Sequence, residues 1–441
     1  MEKYDSYKDS GVEWIGEIPS HWEFKKLKHI SNVRPSNIDK HIYEDEIQVQ
    51  LCNYTDVYYN ETINSNTYLK KGSCNENEYE KFKLEKGDVI ITKDSETPDD
   101  IGIPVYVEET LENVVCGYHL TMIKPISVMG KFIFRFIECD RTRRYFELNS
   151  NGVTRYGLGK SSIENLVLPI TSENEQQKII SFLDSKTLLI DSLIEKTRRK
   201  IELLKEKRTS LINEIVTKGL NPNVEMKDSG VEWIGEIPSS WILRKGSTIG
   251  RYSKGNGIKK DQVRDLGFPC VRYGDIYTKY NHKIHKVNTF INEGVTEVKV
   301  KSGTLFMTGS GETLEEIGKC VVYVGNDDLY VGGDIIILKP SKEYNPEFLT
   351  YLINSECIRI QRELNGRGGI IVHIYSKNFK NMWFPTPSIT EQQHITKYLD
   401  EHTQLIDKTV SIEEKRIEFL KEYRQSLISE VVTGKRKVVE C

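Results

Sequence analysis

The sequence predicts an α+β protein in which two α/β globular domains are separated by two long helices that form an antiparallel coiled coil. Three observations predict this class. One segment returns almost unchanged about 219 residues later, short β-branched and aromatic runs follow each copy, and a seven-residue apolar repeat closes each half. A repeat on this scale indicates a duplicated unit, so we expect a pseudo-two-fold relation between the halves.

The repeated segment, which we call the clasp, spans Asp9–Trp22 in the first copy and Asp228–Trp241 in the second. The two copies differ only at His21 and Ser240. Each copy carries glycine, proline and two tryptophans, a composition that predicts an irregular connector anchored in a core. We therefore expect the clasp to be structural, opening each globular domain and tying it to the end of a long helix from the other repeat.

The tryptophans of the clasp are the expected anchors, with Trp14 and Trp22 buried in the first copy. Replacing Trp14 or Trp233 by Ala is expected to loosen the frame, at a cost of about 3–5 kcal/mol for a buried aromatic side chain. If the chain binds a nucleic acid, neither replacement should change which bases it prefers.

Short runs of β-branched and aromatic residues, broken by Asn, Gly and Pro, predict strands in the first globular domain. They are Ile47–Leu51, Asp88–Thr92, Ile103–Val107 and Leu120–Lys124, followed by a predicted helix over Lys131–Leu148. The second half repeats these landmarks, with Arg272–Asp275 expected on a strand. The expected divisions are the first clasp at 1–22, a globular domain at 23–168, a long helix at 169–218, a linker and second clasp at 219–241, a globular domain at 242–384, and a long helix with a tail at 385–441.

Each long helix opens with a capping box, Ser172–Glu175 or Ser388–Glu391, in which hydroxyl and carboxylate satisfy the free N–H groups of a helix start. A heptad pattern of apolar residues follows each box, and matching seams predict that the helices pair. A parallel pair would need a linker that spans the whole helix, so the short linker favours antiparallel pairing. The expected seam residues are Ile180, Leu183, Ile190, Ile194, Ile201, Leu204, Leu211, Leu399, Ile406, Val410, Ile417, Leu420 and Leu427.

Composition and motifs argue against several classes of protein. The net charge is −3, so any nucleic-acid binding must come from local patches. No apolar run approaches a membrane span and no signal peptide is recognisable, while the eight scattered cysteines suit reduced thiols in a cytoplasmic protein. We found no catalytic motif. His282 and His285 lack a carboxylate or cysteine partner at ligand spacing, so no metal site is expected.

Basic and aromatic residues cluster near predicted turns in both globular domains. Arginine can read guanine with two hydrogen bonds and lysine can hold phosphate, although charged surface residues are common in any protein of this composition. The candidate DNA-binding residues are Arg141, Arg143, Arg144, Arg155, Tyr156, Lys160, Lys254, Lys259, Lys260, Arg272, Tyr273, Arg367, His373 and Lys377.

The whole chain resembles the specificity (S) subunit of type I restriction-modification systems. The resemblance is carried by the duplicated Gly-x-x-Trp-Ile-Gly-Glu-Ile-Pro-x-x-Trp clasp. It is also carried by the pattern Pro-x-x-x-x-x-Glu-Gln-Gln-x-Ile-x-x-x-Leu-Asp, which occurs at Pro169–Asp184 and again at Pro385–Asp400. The resemblance implies two target-recognition domains, each reading one half of a bipartite, asymmetric sequence in double-stranded DNA, with the long helices as spacer.

The resemblance also implies partners and chemistry. Two methyltransferase (modification) subunits would dock on the helices, and restriction (translocase-nuclease) subunits would join them. S-adenosylmethionine, ATP and Mg²⁺ would be bound by those partners, so this chain would itself be non-catalytic and free of cofactor. Two other interpretations stay open on the sequence: a stand-alone, two-headed DNA-binding regulator, and a coiled-coil scaffold whose domains bind protein.

Overall fold

A computed structural model describes residues 2–368 and 371–438. The chain divides into two compact units. Unit 1 comprises the described residues up to Arg198 together with those from Lys415 onward, and unit 2 comprises Arg199–Glu414. Each unit therefore contains one clasp, one globular domain and a portion of each long helix.

The strands of the first half are β1 (Tyr7–Asp9), β2 (Glu17–Pro19), β3 (Glu23–Lys26), β4 (Ser31–Pro35), β5 (Ile47–Cys52), β6 (Thr62–Ile63), β7 (Lys70–Cys74), β8 (Val89–Thr92), β9 (Asp94–Ser95), β10 (Pro104–Val107), β11 (Val114–Cys116), β12 (Leu120–Pro125), β13 (Ser150–Gly152), β14 (Tyr156–Leu158) and β15 (Val167–Ile170). The helices are α1 (Tyr54–Tyr59), α2 (Glu76–Phe82), α3 (Gly130–Glu138), α4 (Asp140–Asn149), α5 (Lys160–Glu164) and the long α6 (Glu173–Lys218).

The strands of the second half are β16 (Met226–Asp228), β17 (Glu236–Pro238), β18 (Ile242–Lys245), β19 (Gly250–Lys254), β20 (Val263–Arg264), β21 (Phe268–Val271), β22 (Lys283–Ile284), β23 (Phe290–Ile291), β24 (Lys299–Val300), β25 (Thr304–Thr308), β26 (Ser310–Gly311), β27 (Cys320–Tyr323), β28 (Leu329–Val331), β29 (Ile335–Pro340), β30 (Val372–His373) and β31 (Trp383–Thr386). The helices are α7 (Tyr273–Thr278), α8 (Pro346–Asn354), α9 (Glu356–Asn365), α10 (Ser376–Asn381) and the long α11 (Ile389–Val432).

A five-stranded sheet forms the centre of each globular domain. Its order is β4-β12-β8-β10-β6 in the first domain and β19-β29-β25-β27-β22 in the second. In both sheets the last pair is parallel and the others are antiparallel. All residues of β8 and β25 are buried, since apolar cores cover both faces of the sheet. The two central sheets thus share one topology, strand for strand.

The four strands predicted in the first domain are present as β5, β8, β10 and β12. The single helix predicted over Lys131–Leu148 was wrong, because the chain forms two helices, α3 and α4. Cys139 between them is extended, with φ −71° and ψ 146°, and Ser355 makes the same break between α8 and α9.

The strand expected at Arg272–Asp275 was also wrong, because this segment begins the short helix α7. The Asp275 carboxylate accepts a hydrogen bond from the Arg272 backbone N–H at 3.0 Å, which favours a helix start. Asp56 does the same for the N–H of Asn53 at 2.8 Å at the start of α1, so both domains use one device.

The two long helices run antiparallel. Within unit 2, Lys200 lies 2.5 Å from Glu413, and farther along α6 Arg208 lies 2.9 Å from Asp407 on an earlier turn of α11. Residue numbers therefore increase along α6 in the direction in which they decrease along α11.

The seam between the helices contains most of the expected residues in buried positions, namely Ile180, Leu183, Ile190, Ile194, Ile201, Leu399, Ile406, Val410 and Leu427. Leu204, Leu211, Ile417 and Leu420 are only half-buried. Apolar side chains with heptad spacing thus supply much of the packing between the helices.

Each clasp packs on the long helix of the other repeat. In unit 1, Trp22 lies in one apolar cluster with Leu427 and Val431 near the end of α11. In unit 2, Trp241 lies in a cluster with Ile215 and Val216 near the end of α6. The tie predicted from the sequence is therefore present in both units.

A left-handed glycine lets each long helix end against its clasp. Gly434 follows α11 with φ 71°, and a Cβ there would lie 2.3 Å from a carbon of Pro19. Gly219 follows α6 with φ 77°, and a Cβ added there would lie 3.3 Å from a ring carbon of Trp241. The two helix ends are therefore built alike.

The expected burial of the first tryptophan in each clasp needs correction. Trp14 is half-buried and Trp233 is exposed by 36%, whereas Trp22 and Trp241 are exposed by at most 1%. The loss of about 3–5 kcal/mol on truncation to Ala therefore applies to Trp22 and Trp241.

One arginine joins the helices of unit 1 to its globular domain. From α11, Arg424 lies 3.0 Å from Asp191 on α6 and 2.6 Å from Glu138 on α3, and it also pairs with Glu61. Opposite charges raise the pKa of Arg424 even though burial acts to lower it. Arg208 holds the corresponding place in unit 2, beside Asp407.

Candidate nucleic-acid interface

The carboxyl end of the central strand β8 gathers polar side chains in unit 1. β9 continues from this strand, and its Asp94 and Ser95 pair with the hairpin strand β14. His119, at the start of β12, has its Nδ1 atom 2.5 Å from Asp94 Oδ2 and 3.3 Å from Arg155 Nη2. The arginine is exposed, so this chain of contacts presents a guanidinium group to solvent at the edge of the domain.

The equivalent edge of unit 2 carries different side chains. β26 pairs with β30, and Ser310 Oγ lies 3.1 Å from His373 Nδ1. The His373 ring stacks on Tyr375 with centroids 6.5 Å apart, and Lys377 Nζ lies 5.7 Å from the centroid of the tyrosine ring. These residues form a stacked, basic group in place of the Asp94–His119–Arg155 line of contacts.

Both edges contain a non-glycine residue in the left-handed region, which costs free energy and is enriched at functional sites. His119 has φ 70° and Asp334 has φ 57°. Each carbonyl accepts the N–H that follows the central strand, from Lys93 at 3.0 Å and from Gly309 at 2.7 Å. Sequence reasoning missed both residues. The available signal was a glycine-containing turn directly before the strand in each half.

A short tyrosine-bearing helix borders each edge. On α1 the Tyr58 hydroxyl donates to Asp100 at 2.8 Å, and this hydrogen bond is the main reason that the pKa of Tyr58 rises to about 12. On α7 the Tyr277 hydroxyl lies 2.7 Å from Thr308 Oγ1. Tyr59 and Tyr273 are exposed by 78% and 44%, so aromatic surface is available beside the polar groups.

The structure divides the candidate residues of the first domain into two groups. Arg155 and Tyr156 lie at the edge described above. Arg141 instead donates to the Trp14 carbonyl at 2.5 Å, so it supports the clasp. The other three lie elsewhere on helices: Arg143 is half-buried on α4, Arg144 pairs with Glu147 at 2.8 Å, and Lys160 pairs with Glu164 at 3.3 Å.

In the second domain, His373, Lys377, Tyr273 and Arg367 lie at or beside the edge, with Arg367 bridged to His373 through the backbone. Lys254 ends β19, and the Gly255 N–H that follows it donates to Ile335, so this lysine reaches the same end of the sheet. Lys259 and Lys260 are exposed in the loop beyond. Arg272 is partly neutralised by Asp275, at 3.4 Å.

Among the described residues, no cluster of three His, Cys, Asp or Glu side chains could hold a metal ion. No helix in that part of the chain is both long and apolar enough to cross a membrane. The described cysteines are all free and buried, and Cys441 lies outside the described residues.

Comparison with known proteins gives a consistent result. The family model for the type I restriction modification DNA specificity domain matches residues 19–203 and 238–422, once in each half. The type I restriction enzyme MjaIX specificity subunit of Methanocaldococcus jannaschii is 23% identical over 448 residues, covering 97% of this chain and 96% of the relative. Its MjaVIII counterpart from the same organism is 23% identical and covers 69% of this chain and 70% of its own length.

Two solved structures share the fold. A chain from a type I R-M system, described for its complex assembly and conformational transition, has a TM-score of 0.72 at 13% identity and covers 94% of this chain and 98% of its own. The HsdS subunit from Thermoanaerobacter tengcongensis has a TM-score of 0.57 at 13% identity and covers 95% of this chain and 98% of its own.

Proposed function

The chain belongs to the type I restriction modification DNA specificity family, and on this premise we propose that its two globular domains each read one half of a bipartite, asymmetric DNA target. It is the DNA-specificity subunit of a type I restriction-modification complex and a non-catalytic component. Methylation and cleavage, with their S-adenosylmethionine, ATP and Mg²⁺, belong in this proposal to the partner subunits.

The observation that carries the proposal is a contrast between equivalent positions in the two units. The clasps and the helix starts are nearly identical, whereas the sheet edges differ in chemistry. Asp94 and Ser310 hold the same place after the central strand, and His119 and Asp334 hold the same left-handed position. Proteins distinguish base pairs by matching side-chain donors and acceptors to the hydrogen-bonding groups that the bases present. Two domains that share a frame but carry different side chains at the sheet edge therefore support two different half-sites.

A second observation supports docking of partner subunits on the helices. In unit 1, Leu188 and Leu189 on α6 are exposed by 71% and 60%, and Phe419 on α11 by 66%. In unit 2, Leu405 and Ile412 on α11 are exposed by 64% and 56% and lie one heptad apart. Apolar side chains repeated on the outer face of a helix favour a helical partner.

We take the occupant to be the methyltransferase subunit, one copy on each unit, with restriction subunits joining that assembly. Two related units in one chain offer two related surfaces, which supports a stoichiometry of two.

The specificity role is tested by mapping N6-methyladenine in the host genome before and after replacing residues 23–168 with the corresponding domain of another family member. We expect one half of the methylated motif to change and the other half to stay the same. A motif that is unchanged, or changed in both halves, would contradict one domain per half-site.

Docking is tested separately by co-purification with the methyltransferase subunit. We expect Leu405→Glu combined with Ile412→Glu to weaken recovery of that subunit, because buried carboxylates in an apolar interface are strongly unfavourable. The exposed pair Glu401→Gln and Lys408→Gln serves as the control on the same helix. Equal recovery with both double variants would exclude this surface.

A further inference from the structure

A cavity in unit 2 opens beside the candidate DNA-reading edge, and a buried arginine lies in its wall. The cavity has a volume of about 630 Å³ and is lined by residues of α7, β26 and α9. Arg362 of α9 belongs to the lining although this residue is exposed by only 3%. Ser310 and Gly311 of the edge also line the cavity, so it is continuous with the surface to which we assign DNA reading.

The guanidinium group of Arg362 has no partner. Its Nε and Nη1 atoms are enclosed and, among the described residues, form no hydrogen bond or ion pair. Nη2 also lacks a partner in that part of the chain but is not enclosed, so it is the nitrogen that meets the cavity. Burial lowers the pKa of Arg362 to about 10, which leaves the group charged at neutral pH. A buried charge without a partner costs free energy, and this indicates that an acceptor enters the cavity.

Unit 1 has an apolar side chain in place of Arg362. Phe146 is the seventh residue of α4, as Arg362 is the seventh residue of α9, and it is fully buried. A Cβ added at the left-handed Gly102 would lie 2.3 Å from Phe146, and one added at the left-handed Gly318 would lie 2.9 Å from Arg362. The two side chains therefore occupy the same place in the two units, and the fold accepts a phenylalanine there.

The exposed arginine of unit 1 has an apolar counterpart in unit 2. Arg155 directly precedes the hairpin residue that pairs with Ser95, and Ile371 directly precedes the one that pairs with Gly311. Ser95 and Gly311 are equivalent, because each lies three residues after the end of its central strand. Unit 1 thus presents a guanidinium group on the hairpin, whereas unit 2 holds one inside a cavity. A base edge within a duplex groove can meet the first, but it cannot enter the cavity that contains the second.

The lining of the cavity is chemically mixed. Three exposed glutamates balance three cations, and these charged residues are Glu312, Glu315, Glu316, Lys319, Arg359 and Arg362. A phosphate offers only acceptor oxygens and negative charge, so the carboxylates disfavour it. A nucleobase is neutral and carries both acceptors, which an arginine can meet, and N–H donors, which carboxylates can meet. Tyr273, exposed by 44%, adds an aromatic ring to the same lining.

We propose that this cavity receives one nucleobase that has rotated out of the duplex, and that Arg362 donates to the acceptor groups of that base. The inference rests on the proposed function, since it takes unit 2 to read one half-site. Rotating a base out of the stack costs free energy for unstacking and unpairing. Hydrogen bonding to Arg362 and stacking on Tyr273 offset that cost, and the volume lies within the range of about 300–1,000 Å³ that is usual for small-molecule sites.

Removing the partner of the extruded base tests the proposal. Fluorescence anisotropy is measured for the assembled complex on target duplexes that carry an abasic site at one position at a time, at fixed ionic strength. Where the abasic site faces the extruded base, unpairing no longer costs free energy. We expect binding to be about tenfold tighter at that position, which is roughly 1.4 kcal/mol.

Arg362→Phe introduces the residue that unit 1 has at this place, so we expect the variant to fold. Its melting temperature should be no lower than that of the unaltered chain, because an unpaired buried charge is removed. The variant should lose the gain at the abasic position and relax base preference in one half-site only. Lys342→Gln makes the same change in net charge at an exposed residue beyond the opposite end of the central sheet, and it should keep the gain.

Tyr273→Ala changes a partly exposed side chain, so it remains informative if Arg362→Phe fails to fold. We expect it to weaken binding of the duplex with the favourable abasic site severalfold, because the extruded base loses a stacking surface. Unchanged binding of that duplex would contradict a base in the cavity.

Three further results would overturn the inference. The first is that no abasic position tightens binding. The second is that Arg362→Phe retains every gain that the unaltered chain shows. The third is that Arg362→Phe lowers the melting temperature and leaves DNA binding unchanged, which would make Arg362 a structural residue. If replacement of residues 23–168 still alters one half of the methylated motif, these results remove only this inference, whereas a replacement that alters neither half removes the proposed function.

Discussion

At the scale of single residues, the two units carry different side chains at equivalent backbone positions. Arg155 is held at an exposed edge by His119, which is itself fixed beside Asp94 and strained into the left-handed region. A side chain that is positioned by neighbours loses less entropy on binding than a free one. The arginine is therefore the side chain of unit 1 best prepared to meet a base edge.

Arg155→Ala should weaken binding of the assembled complex to its target by about 1–3 kcal/mol and relax preference in one half-site only. Fluorescence anisotropy with duplexes altered in either half measures this. Arg144→Ala, at an arginine already paired with Glu147, is the control and should change little. Equal relaxation in both halves would show that Arg155 does not serve one half-site.

A second prediction at this scale concerns acid stability. Burial alone would raise the pKa of Glu175, but hydrogen bonds from Thr171, Tyr4, His21 and Trp22 lower it. Because the folded pKa is lowered, the unfolded state binds more protons, and this stabilisation is complete above the ordinary value near 4.5. It is lost as the pH falls through the lowered folded value.

Glu175→Gln should therefore reduce stability at neutral pH and show a smaller further loss between neutral pH and pH values below 4.5. Urea unfolding at a series of pH values measures the difference. Glu13→Gln, at an exposed residue of the clasp that Glu175 contacts, is the matched control. An unchanged pH profile in Glu175→Gln would mean that the carboxylate does not anchor the clasp.

At the scale of elements, the long helices are held to the globular domain by charge as well as by the apolar seam. Arg424 is a cation in a nearly closed site, with Glu138 buried and both Glu61 and Asp191 about half exposed. Removing Arg424 takes its cation from Asp191, while Arg135 still pairs with Glu138 at 2.7 Å and with Glu61 at 3.8 Å. Breaking a buried ion pair from one side usually costs more than the pair contributes as a whole.

Arg424→Leu should lower the free energy of unfolding by an amount near the lower end of about 3–5 kcal/mol, because two of the three carboxylates keep some contact with water. Chemical denaturation followed by circular dichroism measures the change. Lys421→Leu, an exposed position on the same helix, should cost little. A cost as small as that of the control would show that the seam alone holds α11.

Elements with local signals were predictable from the sequence, and elements fixed by distant contacts were not. The capping boxes and heptads predicted α6 and α11, and β-branched runs predicted β5, β8, β10 and β12. The break at Cys139 depends on packing of α3 and α4 in the core, so no local residue marked it. The partners of Arg424 come from three separate segments, and His119 at the sheet edge contacts Arg155 on a distant hairpin, so neither group could be assembled from spacing.

At the scale of the whole molecule, the duplication repeats a clasp, a globular domain and a long helix, and the two copies carry different side chains at the edge of the central sheet. Both long helices contribute residues to both units, so we expect the gap between the two half-sites to depend on their length. Each residue of α-helix adds about 1.5 Å, and one heptad removed from a helix pair shortens it by about 10 Å, or roughly three base pairs of DNA.

Deleting residues 198–204 and 411–417 together, which lie across the seam from each other around Lys200 and Glu413, should shorten the gap between the half-sites and leave the bases read unchanged. Methylome sequencing of a strain carrying the deletion reports both quantities. Deleting residues 198–204 alone keeps the heptad phase but leaves α6 one heptad shorter than α11, so the helix ends no longer match and methylation should be abolished. Altered base preference after the paired deletion would show that the helices also take part in reading.

The contact between Glu2 and Lys437 in unit 1 has a consequence for chain connectivity. In the linker after Gly219, the backbone passes from the end of α6 into the second clasp. The pairing of Glu2 with Lys437 likewise places the residues that follow α11 beside those that precede the first clasp. A gene rearranged so that the coding order starts at residue 226 and runs through a short joint into residue 2 would encode a circular permutant. Such a permutant should fold and retain its DNA specificity, because each clasp packs beside the end of a long helix and the fold does not require either domain to come first in the chain.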